Sequence, residues 1–323
     1  MSILKTKLPA TLACLCLLSP ANPIAKAEAT SETNSIYQKA KTQLPPDFYA
    51  LYRIVDRLAR ANEYDTRPWQ VIRVAKYDTQ TFAKNANLIP IYNGALEQLG
   101  GDASALACMI SHEMAHHKQR HQVISNVEKA ELIAEIREEA IAQVLNRKRK
   151  TSPVAAVGDF VVRRVIGGTI GTVVGGVLDN RSSRRFRKQQ RRINQIVEKK
   201  TAELEETIEK QSRKDEFEAD KLAYLASVKA GFNKQGCLRG MAVLNRTGGV
   251  KFDDNHPTIE ERVVAIKTVM AKYPVESLLE EGKENLFQTQ PLTYNLSANQ
   301  TSLRVNSRHG ASVGDDIDRM FGS

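Results

Sequence analysis

The sequence predicts an α+β fold, mainly helical, with a small β-sheet beside one helix. Two observations predict it. Apolar residues recur at three- and four-residue spacing in several long segments, and two short stretches of strand character occur early in the chain. No internal repeat of the solenoid kind is evident among the 323 residues.

The first residues have the layout of a secretory signal: Lys5 and Lys7, an apolar run from Leu8 to Leu18, then Ala25-Lys26-Ala27 as a small-x-small cleavage site. The run is too short for a bilayer span, which needs about 20 apolar residues. Cleavage after Ala27 and export are therefore expected, to the bacterial periplasm or its membrane surface. Acylation of Cys14 or Cys16 is disfavoured, because Thr11 and Ala13 stand where a lipoprotein signal carries an aliphatic residue. Cys108 and Cys237 would remain, too few for a disulfide scaffold, and the sequence leaves open whether they pair.

The elements follow in order. Phe48, Leu51, Val55 and Leu58 place a helix over 46–61. Trp69–Ala75 alternates as a strand, and Leu88–Tyr92 is a second, with Pro90 placing it on a sheet edge. Gly100, Gly101 and Asp102 punctuate the start of a helix over Ser104–His121. Val127–Lys150 reads as a solvated helix of alternating charge.

Val165–Leu178 is an apolar run with Gly167, Gly171 and Gly175 every four residues, a pattern that permits close helix approach, and it is read as a packed or membrane-touching hairpin. Charged helices are expected over Ile193–Arg213 and Lys214–Ala230, the latter stopping at Gly231, and shorter ones over Leu238–Leu244 and Glu260–Met270. The resulting organisation is a signal at 1–27, a domain at 28–284 with a helical insert at about 127–213, and a polar, flexible tail at 285–323.

The net charge of +10 is concentrated in one stretch, Arg181 to Arg192, which also holds Arg184, Arg185, Arg187, Lys188 and Arg191. Such a stretch suits peripheral contact with an anionic membrane surface. Nucleic acid is not expected as a partner, because Phe186 is the only aromatic residue among these cations.

The residues that carry chemistry lie on the helix over Ser104–His121. His112-Glu113-Met114-Ala115-His116 is H-E-x-x-H, and side chains four apart share a helical face, so both imidazoles can reach one metal ion. Glu113, beside them, suits the general-base task of taking a proton from a water polarised by the metal. His117 and His121 are also four apart but lack the intervening Glu, and they read as surface or metal-supporting residues.

A catalytic zinc takes three protein ligands. The third is expected in Asp215-Glu216-Phe217-Glu218-Ala219-Asp220, where Glu216 and Asp220 share a face. There Glu216 can ligate while Asp220 accepts the outer N–H of a ligating histidine.

Together with Ala230-Gly231-Phe232, His256-Pro257, Arg262 and the upstream Ile91-Tyr92-Asn93-Gly94-Ala95-Leu96, these motifs resemble the zinc metallopeptidase family of HtpX and the CAAX prenyl endopeptidase, over roughly residues 45 to 270. The short Gly-rich run and the Arg stretch, where many relatives thread the bilayer, are more similar to its soluble periplasmic branch. The resemblance implies a gluzincin-type zincin fold. It also implies one zinc ion per chain on His112, His116 and Glu216, with Glu113 as base and Asp220 in support.

By the same resemblance His256 and Arg262 border the active site, where either would stabilise an oxyanion or occlude the metal. The strand Leu88–Tyr92 would pair with extended substrate, drawn from misfolded or misassembled envelope proteins. The competing reading is a basic, chaperone-like envelope or membrane-surface binder whose metal site is structural.

Overall fold

A computed structural model describes residues 35–74, 87–121, 124–145, 184–247 and 256–310, with 317, 320 and 321. The signal-like segment 1–27, the Gly-rich run Val165–Leu178 and the start of the basic stretch at Arg181 lie outside them.

In chain order the elements are α1 (35–43), α2 (Pro46–Ala61), β1 (Trp69–Val74), β2 (Leu88–Tyr92), α3 (Asn93–Leu99), α4 (Ala103–Gln119), α5 (Asn126–Val144), α6 (Arg184–Lys229), α7 (Gly236–Thr247), α8 (Ile259–Lys272), α9 (Val275–Gln288), β3 (Tyr294–Leu296) and β4 (Ser302–Val305). The mainly helical α+β architecture expected from the sequence is present.

The sheet has the order β2-β1-β4-β3. β1 pairs parallel with β2, Val71 opposite Ile89, and antiparallel with β4, Val71 opposite Leu303. Pro90 accordingly sits on an edge strand, where its missing N–H costs no ladder bond to a further strand.

One face of α2 explains the main core. Phe48, Leu51, Tyr52, Val55 and Leu58 pack with Trp69, Val71, Ile89, Leu303 and Val305 of the sheet and with Ile110 and Met114 of α4. A second cluster, with Tyr224, Val228, Met241, Ile259, Ile266 and Leu278, joins α6 to α7, α8 and α9. Cys108 of α4 and Cys237 of α7 are bonded as a disulfide in that cluster, which answers the pairing question the sequence left open.

Two expectations are corrected. The separate helices at Ile193–Arg213 and Lys214–Ala230 are one 46-residue helix, α6. The change at Arg213 is one of burial rather than backbone: the chain passes from a half-solvated pair with α5, held by Lys200–Glu139 and Lys129–Glu205 ion pairs, into the core, with no Gly or Pro to break it. The described parts of the expected insert, up to 145 and from 184 to 213, thus form an antiparallel helix pair.

The tail is likewise ordered as far as 310, because α9, β3 and β4 occupy much of it. Its anchors are polar. The buried Asp56 carboxylate accepts the Leu292 N–H (2.8 Å) and the Tyr37 hydroxyl (2.7 Å), while Tyr52 donates to the Leu292 carbonyl (2.7 Å). Arg60 donates to the carbonyls of Leu286 and Thr289. Among the described residues no helix is long and apolar enough to cross a membrane.

Candidate metal centre

α4 starts where the glycine pair and Asp102 require. Gly100 and Gly101 have positive φ, and the Asp102 side chain accepts the N–H groups of Ser104 (3.1 Å) and Ala105 (3.0 Å). The helix ends at Gln119, with Arg120 in the left-handed conformation. His112 and His116 point toward α6, one turn apart, and Glu216 faces them from it.

The three donors converge. His112 Nε2 and His116 Nε2 are 3.0 Å apart, and the Glu216 oxygens lie 3.5 Å from the first and 3.3 Å from the second. Ligands about 2.0–2.1 Å from a tetrahedral zinc are about 3.3–3.4 Å from one another. The donor chemistry and the spacing both fit that ion. Their side chains are only 14 %, 22 % and 10 % exposed, so a metal there would be largely shielded from solvent.

Each imidazole is held from behind through Nδ1. His112 Nδ1 lies 3.1 Å from Asp220 Oδ1, and Asp220 in turn accepts Nε and Nη2 of Arg262, both at 2.7 Å. Arg262 Nη1 also reaches Glu216 at 3.1 Å.

Burial alone would raise the Glu216 pKa, but His112, the His116 hydrogen bond and Arg262 outweigh it and keep the carboxyl well below its usual range. The same contest, between burial and the bonds from Arg262 and His112, lowers Asp220. Burial would lower the pKa of Arg262, yet Asp220 and Glu216 raise it and hold the guanidinium charged. The negative charge of Glu113, half-buried beside His112, bears on both His116 and Arg262.

α8 brings Arg262 to this position through its own cap. Thr258 and Glu261 form a reciprocal capping box, and Glu261 also takes a two-pronged ion pair from Arg213 of α6, at 2.8 and 2.9 Å. Arg213 Nη1 donates to the His256 carbonyl (3.2 Å), and His256 Nε2 stands 3.9 Å from Glu216.

The structure therefore gathers His112, His116, Glu216, Asp220, His256 and Arg262 in one place, with Glu113 adjoining. Arg262, which the resemblance placed at the border of the site, has its guanidinium buried and paired with Asp220 and Glu216.

His117 and His121 do not share a helical face, because His121 lies beyond the end of α4, and of the two readings offered for them, surface or supporting, each makes a contact of the supporting kind. His117 joins α4 to the sheet edge, with Nε2 2.7 Å from the Leu88 carbonyl and Nδ1 accepting the Asn87 N–H at 3.3 Å. His121 turns back against the centre: Nδ1 lies 3.1 Å from His116 Nδ1, and Nε2 lies 3.5 Å from Glu218 and 3.9 Å from Asp215. Burial first, then the His116 ring, pushes its pKa down. The sequence signal for this contact is the histidine five positions after His116, just past the helix end.

Two helices that deliver two imidazoles and a carboxylate, with a second carboxylate beside them, define a metallohydrolase centre of the H-E-x-x-H class. The family model of Peptidase family M48 matches residues 46–270, and the chain belongs to that family of zinc-dependent metallopeptidases. Neither a curated protein nor a solved structure matches the chain significantly.

Proposed function

We propose that this chain is a zinc-dependent endopeptidase whose centre is His112, His116 and Glu216, with Glu113 as general base. The observation that carries the reading is the convergence of those three donors within 3.0–3.5 Å of one another. Bound there, zinc would supply Lewis acidity, polarising the scissile carbonyl and acidifying water. The Glu113 carboxylate takes a proton as the water oxygen attacks the carbonyl carbon. It returns that proton to the amine nitrogen as the C–N bond breaks. His256 is the candidate donor to the oxyanion, since Arg262 is engaged elsewhere.

Substrate would lie along β2, whose outer edge carries no further strand among the described residues and which His117 ties to the catalytic helix. Edge pairing reads backbone, which suits unfolded or misassembled chains of varied sequence. Export to an oxidising envelope compartment is supported by the N-terminal pattern and by the Cys108–Cys237 disulfide.

Glu113→Gln should retain zinc and lose cleavage of an unfolded protein substrate. Undiminished cleavage by that variant would reject the mechanism.

A second reading concerns docking, and one observation favours it. Arg184, Arg187, Lys188, Arg191 and Arg192 are all exposed at the start of α6. Such a cluster suits anionic head groups. Binding to anionic vesicles that fades at high salt is expected, and absent or salt-insensitive binding discards it.

A further inference from the structure

We propose that His121 is a positioning residue for the metal ligand His116, acting as a hydrogen-bond acceptor on the ring nitrogen turned away from the metal. The inference rests on the zinc reading above.

Proton placement on the two rings decides the role. A histidine that ligates through Nε2 carries its proton on Nδ1, and that N–H needs an acceptor to fix the ring plane. His112 has Asp220 in that place. Among the described residues the atom in the equivalent place at His116 is not a carboxylate oxygen but Nδ1 of His121, 3.1 Å from its Nδ1. Two ring nitrogens at this distance share one proton, and because His116 supplies it, His121 Nδ1 must be the bare acceptor.

A neutral His121 then bears its proton on Nε2, and the groups found there are carboxylates. Glu218 Oε2 is at 3.5 Å and Asp215 Oδ1 at 3.9 Å, oxygens that can accept that N–H. Asp215 is itself held by Gln211 Nε2 at 2.6 Å. Every link thus points the same way, from His116 through His121 toward the carboxylates of α6. The His121 side chain is 8 % exposed, which keeps water from replacing it as the acceptor.

Two rival roles conflict with the same geometry. His121 is not a further ligand of the zinc centre, because it meets His116 at Nδ1, whereas the three donors converge at Nε2. Nor is the group His121, Asp215 and Glu218 a second cation site while the first is filled, although their ligand atoms all lie within 4.8 Å of one another. A cation on His121 Nε2 would move that ring's proton to Nδ1, and two N–H groups would face each other across 3.1 Å.

The test is zinc affinity by competition with a chromophoric chelator, measured on the full chain. His121→Leu should bind zinc about 10- to 100-fold more weakly than wild type. His121→Asn, whose side-chain oxygen can occupy the place of Nδ1, should recover most of that loss. Unchanged affinity in His121→Leu overturns the proposal, as does His121→Asn binding no better than His121→Leu. Two zinc ions per wild-type chain, falling to one in His121→Leu, would also overturn it in favour of a second cation site.

If His121→Leu does not fold, nitrogen-15 imidazole spectra of the zinc-loaded wild type decide. A proton on His121 Nε2 is expected, and one on Nδ1 overturns the proposal. Failure of the underlying zinc reading shows separately, as wild type that binds no zinc or His116→Ala that binds it as tightly as wild type.

Discussion

Arg262 and Asp220 form a two-pronged ion pair, Nε to Oδ2 and Nη2 to Oδ1, each 2.7 Å long and buried behind His112. Cutting such a pair on one side strands a charge away from water. Arg262→Met should lower stability by about 3–5 kcal/mol and weaken zinc binding, because Asp220 and Glu216 lose their counter-charge. Urea unfolding and metal content of the purified variant check both, and a variant with wild-type stability would show that the pair is dispensable.

The start of α4 is sensitive to pH through Asp102. The Arg239 hydrogen bond first, and then the N–H groups of Ala105 and Ser104, hold Asp102 down at about 2, against an ordinary 3.8. A carboxyl depressed on folding stabilises the fold above its unfolded value, and that contribution disappears as pH falls through the folded one. Asp102→Ala should therefore cost about 1 kcal/mol at neutral pH, and the gap to wild type should close between pH 4 and pH 2. A gap that stays constant over that window would mean that the charge of Asp102 is not what stabilises the helix.

The Cys108–Cys237 bond closes a sequence separation of 129 residues. Long closed loops restrict the unfolded chain most, so reduction should cost about 2–5 kcal/mol. Urea midpoints with and without reductant test this, and coincident curves would contradict it.

Leu303 of β4 is fully buried against the main core. Leu303→Ala should destabilise by about 2–5 kcal/mol, as read by thermal unfolding. A loosely attached tail would give no change.

Gly282 of α9 faces the C-terminal end of α6 so closely that an added Cβ would run into the Lys229 carbonyl. Gly282→Ala must push the two helices apart, at about 1–3 kcal/mol. A melting temperature equal to that of wild type would show that the two helices have room for the added methyl.

The grouping of His112, His116 and Glu216 was legible because each motif is local. H-E-x-x-H and Glu216 with Asp220 are one-turn spacings on single helices, and helical periodicity puts them on one face. The partners were less so. Arg262 acts through a cap and an ion pair from another helix, Thr258–Glu261 and Arg213–Glu261, which no spacing encodes.

The side from which His121 meets the centre was not legible, because the expected helix ran past Arg120, whose left-handed backbone turns the chain. The tail read as loose because its polar residues resemble solvated chain, whereas Asp56, Tyr52 and Arg60 hold it through backbone groups that carry no side-chain signature. α3 was hidden by Asn93-Gly94, a turn signal that here opens a helix.

The unbroken run of α6 makes it a lever arm. At 1.5 Å per residue, the basic end at Arg184 stands about 48 Å from Glu216 along the rod. Whatever grips that end holds Glu216 at a set height above it. A twist or tilt imposed there travels along the rod to Glu216, with no joint in between to absorb it.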